Sequence, residues 1–281
     1  MAILNLGSLH VDREFRVPRI VHAGETLASH SLEIFAGGKG ANQSVALAHA
    51  GADVIHAGKI GPDGRWLLDK LLQCGVDTDA VIESASPTGQ AIIQIDDAGQ
   101  NAIVVLGGAN AEITTDEVDR ALDGCPRATW LLVQNETSAV AHAIRRAHER
   151  GLRVALNPAP MDDRVRAYPL ELVDLLCVNQ IEAAALSGKT GIDEIVESLA
   201  VAWPQCEIVV TLGADGAIGC GMQGRVRLPA RRVTAVDTTA AGDTFLGYLS
   251  MILAFSLLVF ALFQRFLTPR WALVILSLIH I

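Results

Sequence analysis

Short apolar runs alternate with amphipathic stretches along the first 250 residues or so of the chain. Ala2–Leu6 is apolar and stops at Gly7-Ser8, the pattern of a buried strand. Asp63, followed by Leu67, Leu68, Leu71, Leu72 and then Gly75, predicts an N-capped helix with a glycine stop. Residues 130–133 predict a strand, and Val140, Ala143, Ile144 and Ala147 a helix that ends before Gly151. Residues 154–156, 175–178 and 208–212 predict three more strands, the first closed by Asn157-Pro158-Ala159-Pro160. Strands alternating with helices predict an α/β fold with a mainly parallel central sheet, covered on both faces.

Two stretches break that rhythm. Residues 91–95 and 102–106 flank Asp96-Asp97-Ala98-Gly99-Gln100-Asn101, a hairpin with a glycine-bearing turn. Residues 14–21 and 27–35 also alternate as strands. These four are expected to form a separate small sheet inserted at one end of the main domain, within about residues 12–35 and 89–108. No repeat or low-complexity linker divides the body.

Composition narrows the partners. With 51% hydrophobic and 19% charged residues, the chain builds a core and is not disordered. A net charge of −9 argues against nucleic acid as a partner, yet leaves an anionic substrate open, since a site needs only a few local donors. The five cysteines form no C-x-x-C pair and have no histidine at zinc-ligand spacing, as buried thiols of a reduced, cytoplasmic protein would.

The end of the chain is of another kind. From Ser250 onward there is no Asp, Glu or Lys, and residues 246–263 are an uncharged, mostly apolar run of 18. That length meets the lower bound for a membrane span. Residues 250–281 read as a membrane anchor, a buried helix, or a segment foreign to the parent gene through a frameshift or chimeric joining. The abrupt break in composition puts the last first. Contact with a membrane is expected only if this apolar tail is native.

Two glycine-rich segments carry candidate chemistry. Ala36-Gly37-Gly38-Lys39-Gly40-Ala41-Asn42-Gln43 runs into an apolar helix over residues 45–50. Its glycines would let the backbone approach a ligand, and the helix start would present unpaired N–H groups. Lys39 and Asn42 supply a charge and a two-way amide suited to a polyhydroxylated substrate. The segment is not a Walker A loop, because Lys39 is followed by glycine; a plain glycine-rich turn is the simpler alternative. In Val236-Asp237-Thr238-Thr239-Ala240-Ala241-Gly242-Asp243-Thr244-Phe245, small residues would let successive N–H groups converge on an anion. Asp243 stands beside that hole as a candidate general base, with helix capping as its simpler role. A third segment, Gly219-Cys220-Gly221-Met222-Gln223-Gly224, matches G-x-G-x-x-G only formally. A strand-like run follows it, so it reads as a hairpin turn.

With Gln134-Asn135-Glu136, Asn157-Pro158-Ala159-Pro160, Asn179-x-x-Glu182 and Thr211-Leu212-Gly213 between them, the two motifs resemble those of the ribokinase-like (PfkB) carbohydrate kinases over residues 3–249. The resemblance implies a three-layer α/β sandwich whose four-stranded insertion is a lid. That lid closes over the sugar and pairs two subunits as a homodimer. It implies one kinase domain over residues 1–249 that uses ATP, Mg2+ and an activating K+. The expected reaction phosphorylates a terminal hydroxyl of a pentose, first of all D-ribose to ribose 5-phosphate. A kinase for another small sugar, or a non-catalytic sugar-binding remnant without a complete ATP site, are the alternatives.

Residue by residue, the resemblance implies that Asp243 is the base and that the N–H groups of Ala240, Ala241, Gly242 and Asp243 hold the phosphoryl charge. It makes His10, Asp12, Gly38, Lys39, Asn42 and Glu136 sugar contacts, together with Asp243. Asn179, Thr211, Gly213 and Gly242 would contact ATP, and Asn179 with Glu182 would hold Mg2+, mostly through water. Asp237 and the Thr239 carbonyl would form part of a K+ site. Two departures stand out. His10 occupies a position where the family has Asn, and the elements that complete the adenine contacts are not recognisable after Leu249.

Overall fold

A computed structural model of the chain describes residues 2–222, 224–230 and 240–250. The central sheet holds β1 (Ala2–Leu6), β4 (Asp53–Ile60), β5 (Asp77–Glu83), β8 (Ala128–Gln134), β9 (Arg153–Asn157), β10 (Leu175–Asn179), β11 (Glu207–Thr211), β12 (Ala217–Gly221) and β13 (Gly224–Leu228). A separate sheet holds β2 (His10–Arg16), β3 (Ser31–Gly37), β6 (Gly89–Ile95) and β7 (Asn101–Leu106). The helices are α1 (Lys39–His49), α2 (Arg65–Gln73), α3 (Thr115–Gly124), α4 (Val140–Glu149), α5 (Gln180–Ser187), α6 (Ile192–Ala202) and the helical residues 241–250, here α7.

The nine strands lie in the order β13-β12-β11-β10-β9-β8-β1-β4-β5. All neighbours pair in parallel except β11–β12 and β12–β13. Period-two alternation sorts their side chains onto two faces. On one face Leu4, Leu131, Val133, Leu156, Leu176 and Ile208 pack under α3, α4, α5 and α6. On the other, Ile3, Trp130, Leu132, Ala155 and Cys177 pack under α1, α2 and α7. Helix α4 follows its sequence period closely, since Val140, Ala143, Ile144 and Ala147 are its buried residues. The result is the expected three-layer α/β sandwich.

The four-stranded sheet is ordered β3-β2-β6-β7, with β2 and β6 parallel and both outer pairs antiparallel. Its first two strands differ from the expected 14–21 and 27–35. They run closer to the main domain, with His10 opposite Gly37, while residues 17–30 form no strand. Pairing with β6, from Gly89 to Ile95, sets these limits.

Two local expectations are corrected. Asp63 does not cap α2. Its carboxylate accepts the Thr88 N–H at 2.9 Å and the Thr88 hydroxyl at 2.8 Å, while Gly64 stands at the cap position without a side-chain bond. Helix α1 starts at Lys39, six residues before the apolar run that predicted it, so Lys39 to Gln43 are helical. The G-x-G-x-x-G segment lies where β12 pairs antiparallel with β13, in keeping with a hairpin.

Strand β1 has β4 on one side and β8 on the other, so the strand order reverses beside it. In open α/β sheets, ligands bind at the carboxyl ends of strands where such a reversal leaves a crevice. Ser8 follows β1, Glu136 follows β8, and Asn157, Asn179 and Thr211 close β9, β10 and β11. The separate sheet springs from this same edge at His10.

Candidate active site

The crevice is held shut at its base by the start of α1. The Lys39 N–H donates to Glu136 Oε2 at 2.9 Å, the Gly40 N–H to Ser8 Oγ at 3.2 Å and the Ala41 N–H to Ser8 O at 3.0 Å. Ser8 Oγ also donates to Glu136 Oε2. These are the N–H groups expected to be open to a ligand, and the protein itself satisfies them. The glycines have a matching role. A Cβ on Gly40 would stand 2.3 Å from Ser8 N, and one on Gly38, whose φ is 97°, 2.8 Å from Ser8 O. They let α1 sit against the turn after β1, rather than exposing backbone to substrate.

The second helix start differs among the described residues. The Thr244 N–H is bonded to Ala240 O at 2.9 Å. The N–H groups of Ala241, Gly242 and Asp243, one turn earlier, have no partner among the described residues. Ala240 takes φ 56°, and a Cβ built on Gly242 meets nothing within 4 Å. Helix α7 thus begins with N–H groups that no described residue satisfies, an arrangement that receives anions.

Asp243 sits in that first turn, buried, and does not cap the helix. Its Oδ1 accepts from Gln43 Nε2 at 2.8 Å and its Oδ2 from Asn42 Nδ2 at 3.4 Å. Burial pushes its pKa above the ordinary aspartate value, while Lys39 and the amides of Gln43 and Asn42 oppose the rise and Glu136 adds to it. The distance between the two helices is set one turn further along each. A Cβ on Gly247 would lie 2.5 Å from that of Ala46, so only glycine admits this approach. Leu246 and Leu249, buried in the core, anchor α7 with about 1.5–3 kcal/mol each.

His10 and Asp12 lie two residues apart on β2, on one face of the small sheet. His10 Nε2 and Asp12 Oδ1 are buried without hydrogen-bond partners among the described residues. Burial lowers the His10 pKa against the opposing pull of Glu136, so the imidazole is neutral at neutral pH. Burial, with the charges of Glu136 and Glu14, raises Asp12 to about 6. Two orphaned polar atoms in one crevice ask for hydroxyl partners. The loop before His10 is braced by Asn110, whose amide pairs with both the N–H and C=O of Leu9.

Asn179 and Glu182 cap α5 reciprocally. Glu182 Oε2 accepts the Asn179 N–H and Asn179 Oδ1 the Glu182 N–H, each at 2.9 Å. Burial raises the Glu182 pKa, and the charges of Lys39 and Asp243 act on it too, so this carboxylate belongs to the same field. Thr211 pairs in register with Asn179 on the neighbouring strand. Gly213 follows it at φ 59° with open space where a Cβ would be. The crevice therefore has one end at His10, Asp12, Lys39 and Glu136 and another at Asn179, Glu182, Thr211 and Gly213. Asp243 stands with α1 and feels charges from both ends. Asp237 and Thr239, the expected K+ ligands, lie outside the described residues, as do residues 251–281 of the apolar tail.

The described residues also bring in groups that the motifs leave silent. Asn5, Gln134 and Asn157 occupy the α1-facing parity of β1, β8 and β9, and all three join Gln43 in one hydrogen-bonded cluster under Asp243. Each is signalled by a polar residue where strand alternation calls for an apolar one, and Gln134 and Asn157 also head two of the matching segments, with no role assigned to either.

The pattern of a pfkB family carbohydrate kinase matches residues 2–254. The chain belongs to that family. A ribokinase of Staphylococcus aureus is 36% identical over 258 residues, covering 87% of this chain and 84% of its own length. Among solved structures, the ribokinase of Cryptococcus neoformans in complex with ADP superposes with a TM-score of 0.77 at 33% identity, covering 91% of this chain and 88% of its own. Arabidopsis thaliana ribokinase complexed with ribose and ATP superposes with a TM-score of 0.78 at 26% identity, covering 90% and 86%. The fold is thus that of a carbohydrate kinase, a phosphotransferase that uses a nucleotide.

Proposed function

We propose that this kinase transfers the γ-phosphoryl group of ATP to the 5-hydroxyl of D-ribose, with Asp243 as general base. One observation carries the reading: a buried carboxylate, oriented by two amides of α1, stands in the same helical turn as three N–H groups that no described residue satisfies. In the step, the hydroxyl proton passes to Asp243 as the sugar oxygen bonds to the γ-phosphorus. The bond from phosphorus to the β,γ-bridging oxygen breaks, and its electron pair leaves with ADP. The N–H groups of Ala241, Gly242 and Asp243 stabilise the charge on the transferring group, the term on which phosphoryl transfer mostly depends.

The sugar binds against His10, Asp12, Gly38, Lys39, Asn42 and Glu136, where the orphaned atoms of His10 and Asp12 meet its hydroxyls. ATP extends toward Asn179, Thr211 and Gly213. Glu182 Oε1 has no hydrogen bond among the described residues, and no cluster of three or more metal-ligating side chains exists there. That donor set fits an Mg2+ ion that keeps most of its waters and not one in a cage of protein ligands. When bound, the ion would neutralise phosphate charge.

Relatives of similar length named as ribokinases favour catalysis over the non-catalytic alternative. The test is ADP release with D-ribose by wild type and Asp243→Asn. Wild-type turnover with an inactive variant that still binds ribose is expected, and equal turnover by both would remove Asp243 from the reaction. A second sugar is favoured by His10 alone, whose ring has a different shape and proton count from an amide; a survey of pentoses under the same assay decides it.

The small sheet exposes Leu32, Ile34 and Phe35 on β3 and Ile103, Val104, Val105 and Leu106 on β7. An apolar surface on two edge strands supports a homodimer formed through this lid. Light scattering should give a dimer mass for wild type and a monomer for Ile34→Asp/Val104→Asp. The five unpaired thiols support a reducing compartment, the cytoplasm. Among the described residues no helix is long and apolar enough to cross a membrane.

A further inference from the structure

The carboxylate of Asp243 rests on a cluster of side-chain amides whose donor and acceptor ends are forced. Gln43 Nε2 meets Asp243 Oδ1 at 2.8 Å, and it must donate there. Its carbonyl therefore faces Gln134 Nε2, 2.7 Å away, and accepts. The same Gln134 amino group donates to Asn5 Oδ1 at 2.9 Å, and Asn5 Nδ2 in turn donates to Gly40 O and Ser44 Oγ, each at 2.8 Å. The second Gln43 proton points to Asn157 Oδ1 at 3.2 Å, while Asn157 Nδ2 donates to Cys177 O at 3.0 Å. Asn5, Gln43 and Gln134 are completely buried or nearly so. Such a cluster polarises in one direction, and turning any amide over would set two acceptors or two donors face to face.

We propose that Gln43 is a positioning residue for phosphoryl transfer. Its amide occupies Asp243 Oδ1, so that Oδ2, which meets Asn42 at the longer distance of 3.4 Å, is the oxygen that takes the hydroxyl proton. Gln134, which does not touch Asp243, keeps the Gln43 amide the right way round. The proposal rests on Asp243 being the base.

Charges of both signs surround Asp243. Lys39 from α1, Glu136 after β8 and Glu182 from α5 all act on Asp243, and Gln43 supplies the nearest neutral donor. A donor to the ionised form lowers a carboxylate pKa, so its removal raises the pKa and moves the acidic limb of the rate profile to higher pH.

The experiment is the pH profile of kcat/KM for the active sugar, followed by ADP release, in wild type, Gln43→Met, Gln43→Glu, Gln134→Met and Asp243→Asn. For Gln43→Met we expect kcat to fall on the order of tenfold, a fraction of the range for a complete general base, with sugar KM within about threefold and the acidic limb displaced upward. Gln43→Glu should displace it further, because two adjacent carboxyl groups share a proton. Gln134→Met should shift it in the same direction by less. An unmoved limb with near-wild-type kcat in whichever of these variants folds overturns the proposal, and a rise in KM alone does the same. Full activity in Asp243→Asn would instead overturn the base assignment, a result distinguishable from any obtained with Gln43.

Discussion

Glu136 Oε2 accepts the Lys39 N–H at 2.9 Å, so a residue that follows β8 caps a helix that belongs to the far side of β1. The bond ties the two strands flanking the switch point to the glycine-rich segment. Replacing Glu136 with Ala removes that acceptor and the Ser8 partner with it. Loss of a cap costs about 1 kcal/mol. We therefore expect urea denaturation of Glu136→Ala to show that loss, together with a rise in sugar KM that exceeds the fall in kcat.

Asp12 is a burden on the empty enzyme. With its pKa raised to about 6 from an unfolded value near 3.8, the fold prefers its protonated form. That preference stabilises the protein at low pH, and it is lost as pH rises from the unfolded value through 6. Asp12→Asn should thus melt higher than wild type at pH 8 by a few degrees, and the gap should narrow at pH 5 and close only below the unfolded value of 3.8. The same variant should bind sugar at least tenfold more weakly at pH 8. Equal melting temperatures at both pH values would contradict the assignment.

Glycines of the two motifs should respond oppositely to alanine. At Gly40 the new methyl meets backbone on two sides, at 2.3 Å from Ser8 N and 2.4 Å from Gly7 Cα. Gly40→Ala should lose stability by overpacking, roughly 1–3 kcal/mol or more. At Gly242 the methyl meets nothing, and alanine favours a helix by about 1 kcal/mol. Gly242→Ala should keep or raise its melting temperature yet lose turnover, because the space it fills is the one proposed for the transferring phosphoryl group. Calorimetry and ADP release on both variants check the contrast.

A further test concerns the scaffold under the lid. Lys59 Nζ bonds Glu117 Oε1 at 2.8 Å, Oε2 at 3.1 Å and the Glu112 carbonyl at 3.1 Å, joining the end of β4 to the capping box of α3. Burial raises the Glu117 pKa, but the bonds from Lys59 and the Thr114 N–H more than offset it and hold the group below its ordinary value. The stability this carboxylate contributes is present above pH 4.5 and is lost as pH falls through the depressed pKa. Lys59→Met leaves the carboxylate unpaired and should cost roughly 3 kcal/mol at pH 7, measured by denaturant melts. Lys59→Met/Glu117→Gln should recover a good part of it, since the glutamine still serves the cap.

Much of this protein is legible without coordinates. The period-two and 3.6-residue patterns determined the alternation of strands and helices, because burial of an apolar face is a local property of the sequence that bears it. The two motifs together carried the family resemblance that named the chemistry, where each alone left a glycine-rich turn or a helix cap open. What the sequence left open was pairing at a distance. Whether the N–H groups of α1 or those of α7 were free depended on Glu136 and Ser8, 97 and 31 residues from Lys39 along the chain. Strand limits in the lid followed from β2 pairing with β6, across 79 residues from His10 to Gly89. Asn5 gave only the hint of a polar residue at an apolar parity, and Gln134 and Asn157 stood in matching segments without an assigned role. Their meaning came from the register of β1, β8 and β9, which stacks them beneath one helix. A hydrogen bond needs two partners within about 3 Å, and only the folded chain decides which residues those are.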